Sequence, residues 1–327
     1  MRHGVQDVVV IGGGLAGLVA AFQIRRARPD ASIRILERQP QPGGRTRTMR
    51  IEGFVCETGP LAFRVGAQTR ALFTALSLDA DVVRTDVVPT WRGPTPDVMR
   101  LLTEAMFDGE DGPLLSFRGG CEDLIQALRR ELSGSIWAAR PAEAIERTDD
   151  GGYRVQLGGL VRSQIATREL VLATPPAAAG ELLAEVDRDL AEALCEVRML
   201  SATNVFLGFR DHDARDALTG GGFVQQEHGE DPFLAAFDCG QWFPRRGVVG
   251  KSVVRVVLDG DLLPFDRDPE RLATAAETAL RGYCDLAGPL LMRRVVHAFD
   301  AIPRAASLAR LAALRTSVRD RLGITLT

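Results

Sequence analysis

VVVIGGGLAGLVAAF, residues 8–22, is the stretch on which the fold turns. A β-branched run enters a glycine cluster and leaves it with apolar residues at helical spacing. DVVVI (7–11) therefore reads as a buried strand, 15–27 as a helix, and SIRILE (32–37) as a second strand that ends on an acid. This is a compact βαβ unit. Gly12, Gly14 and Gly17 match GxGxxG, a weak pattern alone, but here a strand precedes it, a helix follows it, and Glu37 lies 20 residues beyond Gly17. Gly12 permits the tight turn, Gly14 lets a pyrophosphate approach the backbone, and Gly17 lets the helix pack on the strand. The helix start offers unpaired N–H groups and a positive dipole end to phosphates. Glu37 is expected to accept hydrogen bonds from ribose hydroxyls and to repel a 2'-phosphate, which disfavours NADP. NAD and FAD both fit. The loop PGGRTRT adds Gly43 and Gly44, leading to Arg45, a fixed cation suited to a diphosphate.

Composition bounds the rest. The 327 residues suffice for about two domains, and 46% hydrophobic with 25% charged residues is ordinary for a globular protein. A net charge of -3 gives no electrostatic reason to expect nucleic acid or an anionic membrane. Lys251 is the only lysine, so a catalytic lysine has one candidate. Five scattered cysteines without a CxxC argue against a disulfide framework or metal site, and the four histidines are equally dispersed. A reducing, cytoplasmic setting without metal is expected. The basic pair Arg25–Arg26 follows the first apolar run rather than preceding it, so no signal peptide is read there. No run approaches the ~20 apolar residues of a membrane span.

Further along, TRALFTALSL (69–78) has helical spacing. Asp79–Leu115 is rich in turn residues, with one helical patch at VMRLLTEAMF. A Gly-Gly turn then feeds an amphipathic helix ending near Leu132, and SIWAA, AIERT, YRVQL and ELVLATPP follow as short strands, a meander inserted into a sheet. Residues 201–258 are β-rich, and a helix spans 269–283. The last helix, about Ala305–Leu322, puts Leu308, Leu311, Leu314, Val318 and Leu322 on one face, with Gly323 as its stop. ITLT after it reads as the start of a strand.

VVVIGGGLAGLVAA, ILER, PGGRTRT and FVCETGP together resemble the N-terminal portion of the flavin-containing amine oxidase superfamily. LLSFRGGCEDLIQAL, VLATPPAAAGELL, SATNVFLGFR and FLAAFDCGQWFPRRG are similar, in order, to segments of protoporphyrinogen and coproporphyrinogen oxidases. The resemblance implies an α/β fold: a Rossmann-like (GR2-type) FAD-binding domain with an inserted β-meander, and a smaller α+β substrate domain on an antiparallel sheet. It implies residues 1–80, 116–185 and 295–327 for the former, and 81–115 and 186–294 for the latter. The FAD-lining set it implies joins Leu15 and Ala16 to the three glycines, Arg38 to Glu37, and Thr46 to Gly43, Gly44 and Arg45. Gly59, Pro60 and Leu61 would border the flavin, Ala142 would offer backbone to adenine, and Thr174 would lie near the cofactor. Arg92, in VPTWRGPTP, is a candidate for a substrate carboxylate.

Three departures qualify this. Asn204 stands where an amine oxidase carries its lysine, and Tyr153 and Tyr283, the only tyrosines, match no substrate-flanking position, which argues against amine oxidation. The 37 residues Asp79–Leu115 are short for a porphyrinogen oxidase substrate lid. ITLT falls where the family's last FAD strand begins. The resemblance implies dehydrogenation of a small molecule by hydride transfer to FAD. The alternatives are a truncated or non-catalytic relative keeping only the ADP half of the site, and an NAD-dependent dehydrogenase.

Overall fold

The computed structural model describes residues 4–85, 87, 90–91, 96–107, 112–159, 162–224, 232–244, 248–263 and 268–327. It is a mixed α/β protein whose contacts divide it into two compact units. One holds the chain up to Gly44, Ile125–Arg198 and Ala306–Thr327; the other holds Arg45–Leu124 and Met199–Ala305.

In the first unit the opening strand, Gln6–Ile11, lies parallel to Ile33–Leu36 on one side and to Ser163–Leu172 on the other. Val8, Val9 and Val10 are wholly inaccessible. A parallel strand covered on both faces needs such a continuous apolar run. The helix Leu15–Ala27 crosses between the first two strands, with Arg25 and Arg26 in its last turn, where cations complement the dipole. Arg25 also donates to the carbonyl of Glu131 at 3.0 Å. The long strand Ser163–Leu172 changes partner along one edge: its first half pairs antiparallel with Tyr153–Leu157, and Val171 and Leu172 pair in parallel with Thr325 and Leu326. ITLT thus supplies a strand to this sheet. The helix before it, Leu308–Leu322, ends on Gly323 at φ +70°, and Leu311, Leu314, Val318 and Leu322 are buried. Leu308 is the outlier on that face, at 38% exposure.

The second unit is built on a six-stranded sheet ordered Met292–Pro303, Met199–Arg210, Lys251–Asp259, Phe233–Asp238, Gly222–Val224 and Thr90–Trp91, with a four-stranded sheet and the hairpin Thr48–Ile51/Phe54–Glu57. One core cluster centres on Trp242, Phe237 and Leu102, and another on Phe209, Phe223 and Leu280.

The chain differs from the sequence reading in three places. Residues 186–198 pack in the first unit, and 295–305, 45–80 and 116–124 in the second, whereas the resemblance implied the other unit for each. For 45–80 and 116–124 the strands explain it, because Ala62–Arg64 bonds to Leu114–Phe117 and Thr103–Ala105. The patch VMRLLTEAMF is a helix only for Pro96–Leu102 and then becomes a strand. The Thr103 hydroxyl donates to the Met99 carbonyl at 2.7 Å, closing the helix, and Thr103–Ala105 pairs in parallel with Ala62–Arg64. Finally, Met292–Pro303, to which the sequence reading gave no element, is a 12-residue strand, with a bulge between Leu200 and Ala202 of its partner. Its adjacent arginines, Arg293 and Arg294, hide the period of two.

Among the cysteines, Cys56 is buried and Cys195 exposed. Burial pushes the Cys56 thiol up from near 9 to about 12, helped by Cys239 and Glu57. The neutral thiol is the favoured form in the fold. Its contribution to stability is therefore complete below its ordinary value and is lost as pH rises toward the folded one. In the native protein iodoacetamide is expected to label Cys195 at pH 8 and to leave Cys56 until the chain is denatured, as read by peptide mass mapping.

Candidate functional site

The glycine loop of the first unit is made by packing at two positions and left open at a third. Gly12 has φ +109°, donates from N to the Leu36 carbonyl at 2.8 Å, and a Cβ there would lie 2.2 Å from the Ala173 carbonyl oxygen. A Cβ at Gly17 would lie 2.0 Å from the Gly12 carbonyl oxygen and 3.1 Å from the Ala173 Cβ. Side chains at either would separate helix from strand. At Gly14 a Cβ would meet nothing nearer than the Gly44 Cα at 3.9 Å. Gly14 caps the helix without a side-chain bond, and no acid lies in the first turn, so side chains leave the N–H groups of that turn unclaimed. Leu15 is buried beneath them and Ala16 is exposed. Gly43, at φ +133°, donates to the Gly13 carbonyl at 2.7 Å and bridges Gly14, and Gly44 follows at φ +60°. The result is a main-chain cradle of N–H groups at the positive end of a helix, which is anion-binding geometry.

Glu37 is 7% exposed and binds this loop to the second strand. Its Oε2 accepts from Gly13 N at 2.8 Å and its Oε1 from Gln39 N at 2.7 Å. Each ionised oxygen retains a further lone-pair direction for a hydroxyl. Arg38 is exposed. Ala142 opens the strand Ala142–Arg147, with a register shift directly after it. The Thr174 hydroxyl is buried and has no partner. Arg92 lies outside the described residues.

The remaining predicted residues fall in the second unit. Arg45 is half-buried and Thr46 buried. Thr58 ties this stretch to the next strand: its hydroxyl donates to the Arg45 and Arg47 carbonyls at 3.2 and 3.3 Å. A Cβ on Gly59 would lie 2.5 Å from the Arg45 carbonyl oxygen, so glycine is what lets the two segments touch. Pro60 is buried, and Leu61 N donates to the Leu102 carbonyl at 2.7 Å.

Sequence reasoning missed the group that holds this turn from beneath. Arg255 is fully buried; its Nη1 donates to the carbonyls of Glu57 at 3.0 Å and Gly59 at 2.6 Å, and its Nε donates to Asn204 Oδ1 at 2.8 Å. One charge inside the apolar run SVVRVVL was the available signal. The two tyrosines have packing roles: the Tyr153 hydroxyl donates to the Leu322 carbonyl, and the Tyr283 ring packs on Phe223 and Phe233. Among the described residues no group of three metal-ligating side chains occurs, and no helix is long and apolar enough to cross a membrane.

Residues 10–76 match the NAD(P)-binding Rossmann-like domain family, and residues 97–305 match the flavin containing amine oxidoreductase family. Coproporphyrinogen III oxidase of Bacillus subtilis (strain 168) is 36% identical over 67 residues, 19% of this chain and 14% of that protein. Protoporphyrinogen oxidase of Homo sapiens is 36% identical over 83 residues, 24% of this chain and 17% of that protein. The matched regions are thus under a fifth of these relatives' length. Among solved structures, cyclohexylamine oxidase from Brevibacterium oxydans IH-35A superposes with a TM-score of 0.73 at 15% identity, over 99% of this chain and 93% of that one. A protein from Exiguobacterium sp. 255-15 superposes with a TM-score of 0.77 at 20% identity, over 100% and 94%. These likenesses show a common fold, and the second family match spans more than half of the sequence. The chain belongs to the flavin containing amine oxidoreductase family.

Proposed function

We propose that the chain binds FAD and dehydrogenates a small organic molecule, in the manner of the porphyrinogen oxidases whose sequences it resembles. The open main-chain cradle at Gly14 carries this reading. It fits a pyrophosphate because its N–H groups are unclaimed by side chains and a Cβ would intrude on the space. The Glu37 carboxylate fits the adenosine ribose, and the unpartnered Thr174 hydroxyl supplies one more polar atom in the same unit. In the second unit, Arg45 and Thr46 are assigned to the diphosphate, and Gly59, Pro60 and Leu61 to the flavin edge. Bound there, the flavin supplies the hydride acceptor, while the chain binds, orients and excludes water. Amine oxidation is not proposed, because Asn204 holds Arg255 and both tyrosines serve packing.

The test is the absorbance spectrum of the purified protein, before and after incubation with FAD and gel filtration. The two visible bands of oxidised flavin are expected at a stoichiometry near one per chain. Colourless protein after incubation, or tight NAD binding without flavin affinity, would overturn the reading.

A further inference from the structure

Arg255 is an unusual thing to bury. It is wholly inaccessible, and its bonded partners, the Glu57 and Gly59 carbonyls and the Asn204 amide oxygen, are all neutral acceptors. Its Nη2 and the Asn204 Nδ2 are both buried without a partner. The pair therefore carries a fixed charge and two surplus sets of donors, with no carboxylate bonded to them. The Phe206 ring lies 5.9 Å from the guanidinium carbon. Burial lowers the guanidinium to about 10, against the opposing pull of Cys239 and Glu57, so the group stays cationic at neutral pH. The Glu57 carboxylate itself is occupied, accepting from Cys121 N at 3.0 Å and the Thr48 hydroxyl at 2.8 Å. Buried charge with unmet donors destabilises relative to an apolar side chain of similar volume. A cation kept under those conditions points to a demand for positive potential behind the Gly59 turn.

Resting on the FAD reading above, we propose that Arg255, oriented by Asn204, tunes the bound flavin by favouring the negative charge its ring gains on reduction. Two electrons and one proton added to the neutral oxidised ring leave one negative charge, the substrate C–H bond being the source of the hydride. A fixed cation in a low-dielectric interior stabilises that charge and disfavours its loss. Arg255 is thus a positioning residue as well, since the same guanidinium fixes the Glu57 and Gly59 carbonyls.

Asn204→Asp tests this. The new side chain has the same shape, keeps the acceptor for Nε, and sets a carboxylate oxygen where the unpartnered Nδ2 stood, cancelling the charge. The apo protein is expected to melt at the same temperature or higher. FAD is expected to remain bound, with the reduced-to-oxidised ratio at a fixed potential lowered at least tenfold, ~30 mV for a two-electron couple. Arg255→Met should shift the ratio in the same direction, and Arg255→Lys, which keeps the charge, should hold it within about threefold while lowering the melting temperature. Wild-type ratios in FAD-loaded Asn204→Asp would overturn the tuning role alone. So would its failure to fold, which would mean the guanidinium is already compensated, or loss of FAD by a folded variant, which would make the pair a binding determinant instead. Wild type that takes up no FAD would remove both this inference and the reading beneath it. If Arg255→Met does not fold, the Asn204→Asp result decides.

Discussion

Gly12→Ala should lower the stability of the protein by about 3 kcal/mol and its melting temperature by roughly 4 °C, whereas Gly14→Ala should change stability by no more than about 0.5 kcal/mol. The two residues stand two apart in one loop and differ in what a methyl group meets. At Gly12 it meets the Ala173 carbonyl oxygen at 2.2 Å, on a backbone with φ +109° that an L side chain rarely adopts. Relief requires moving a strand in a buried parallel sheet. At Gly14 the methyl points into open space, 3.9 Å from the Gly44 Cα. Its cost therefore falls on whatever occupies that space. FAD affinity should drop at least about tenfold in Gly14→Ala, a loss of about 1.4 kcal/mol. Thermal melts and flavin titrations of both variants check this; equal melting losses in the two would show that the space at Gly14 is a packing requirement rather than a ligand's.

Glu37→Ala is the second large loss, about 3 kcal/mol, because it removes two charge-assisted bonds and leaves the buried Gly13 N–H without an acceptor. Glu37→Gln should cost about half of that, since its single carbonyl oxygen retains one bond while its amide nitrogen opposes the other N–H. The measured pair is urea stability of the apo protein and FAD affinity. If the glutamine variant keeps wild-type stability but loses affinity tenfold, Glu37 is a ribose ligand and not a strap for the loop. If stability falls first, the strap dominates.

The acid at the end of the second strand was legible because its position follows from βαβ geometry, and so was the helix 15–27, which begins and ends at the residues its spacing named. What a side chain does there was not legible. The Glu37 bonds to Gly13 and Gln39 depend on how the loop folds back, which no local periodicity encodes. The same holds for Arg255: the run SVVRVVL is a clear strand, but the carbonyls that receive the guanidinium come from residues nearly two hundred positions earlier. Nor could spacing say where 45–80 would pack, since three short strands chose their neighbours through non-local pairing. Local chemistry named the glycine loop well. Long-range partners decided the rest.

The strand Ser163–Leu172 carries a kinetic consequence. It is paired with Gln6–Ile11 on one side and with Thr325–Leu326 on the other, and the second unit's residues are threaded through the intervals. The sheet that holds the opening strand is therefore closed only by pairings distant in sequence. High contact order slows folding, because loop closure must be met before those pairings contribute. During synthesis the opening strand and its glycine helix wait with an unpaired edge until well over a hundred further residues have emerged, which exposes them to chaperones and to aggregation. Refolding from denaturant should accordingly be multiphasic, with the β-rich second unit able to form its own pairings before the glycine loop gains the Ala173 backbone against which it is shaped.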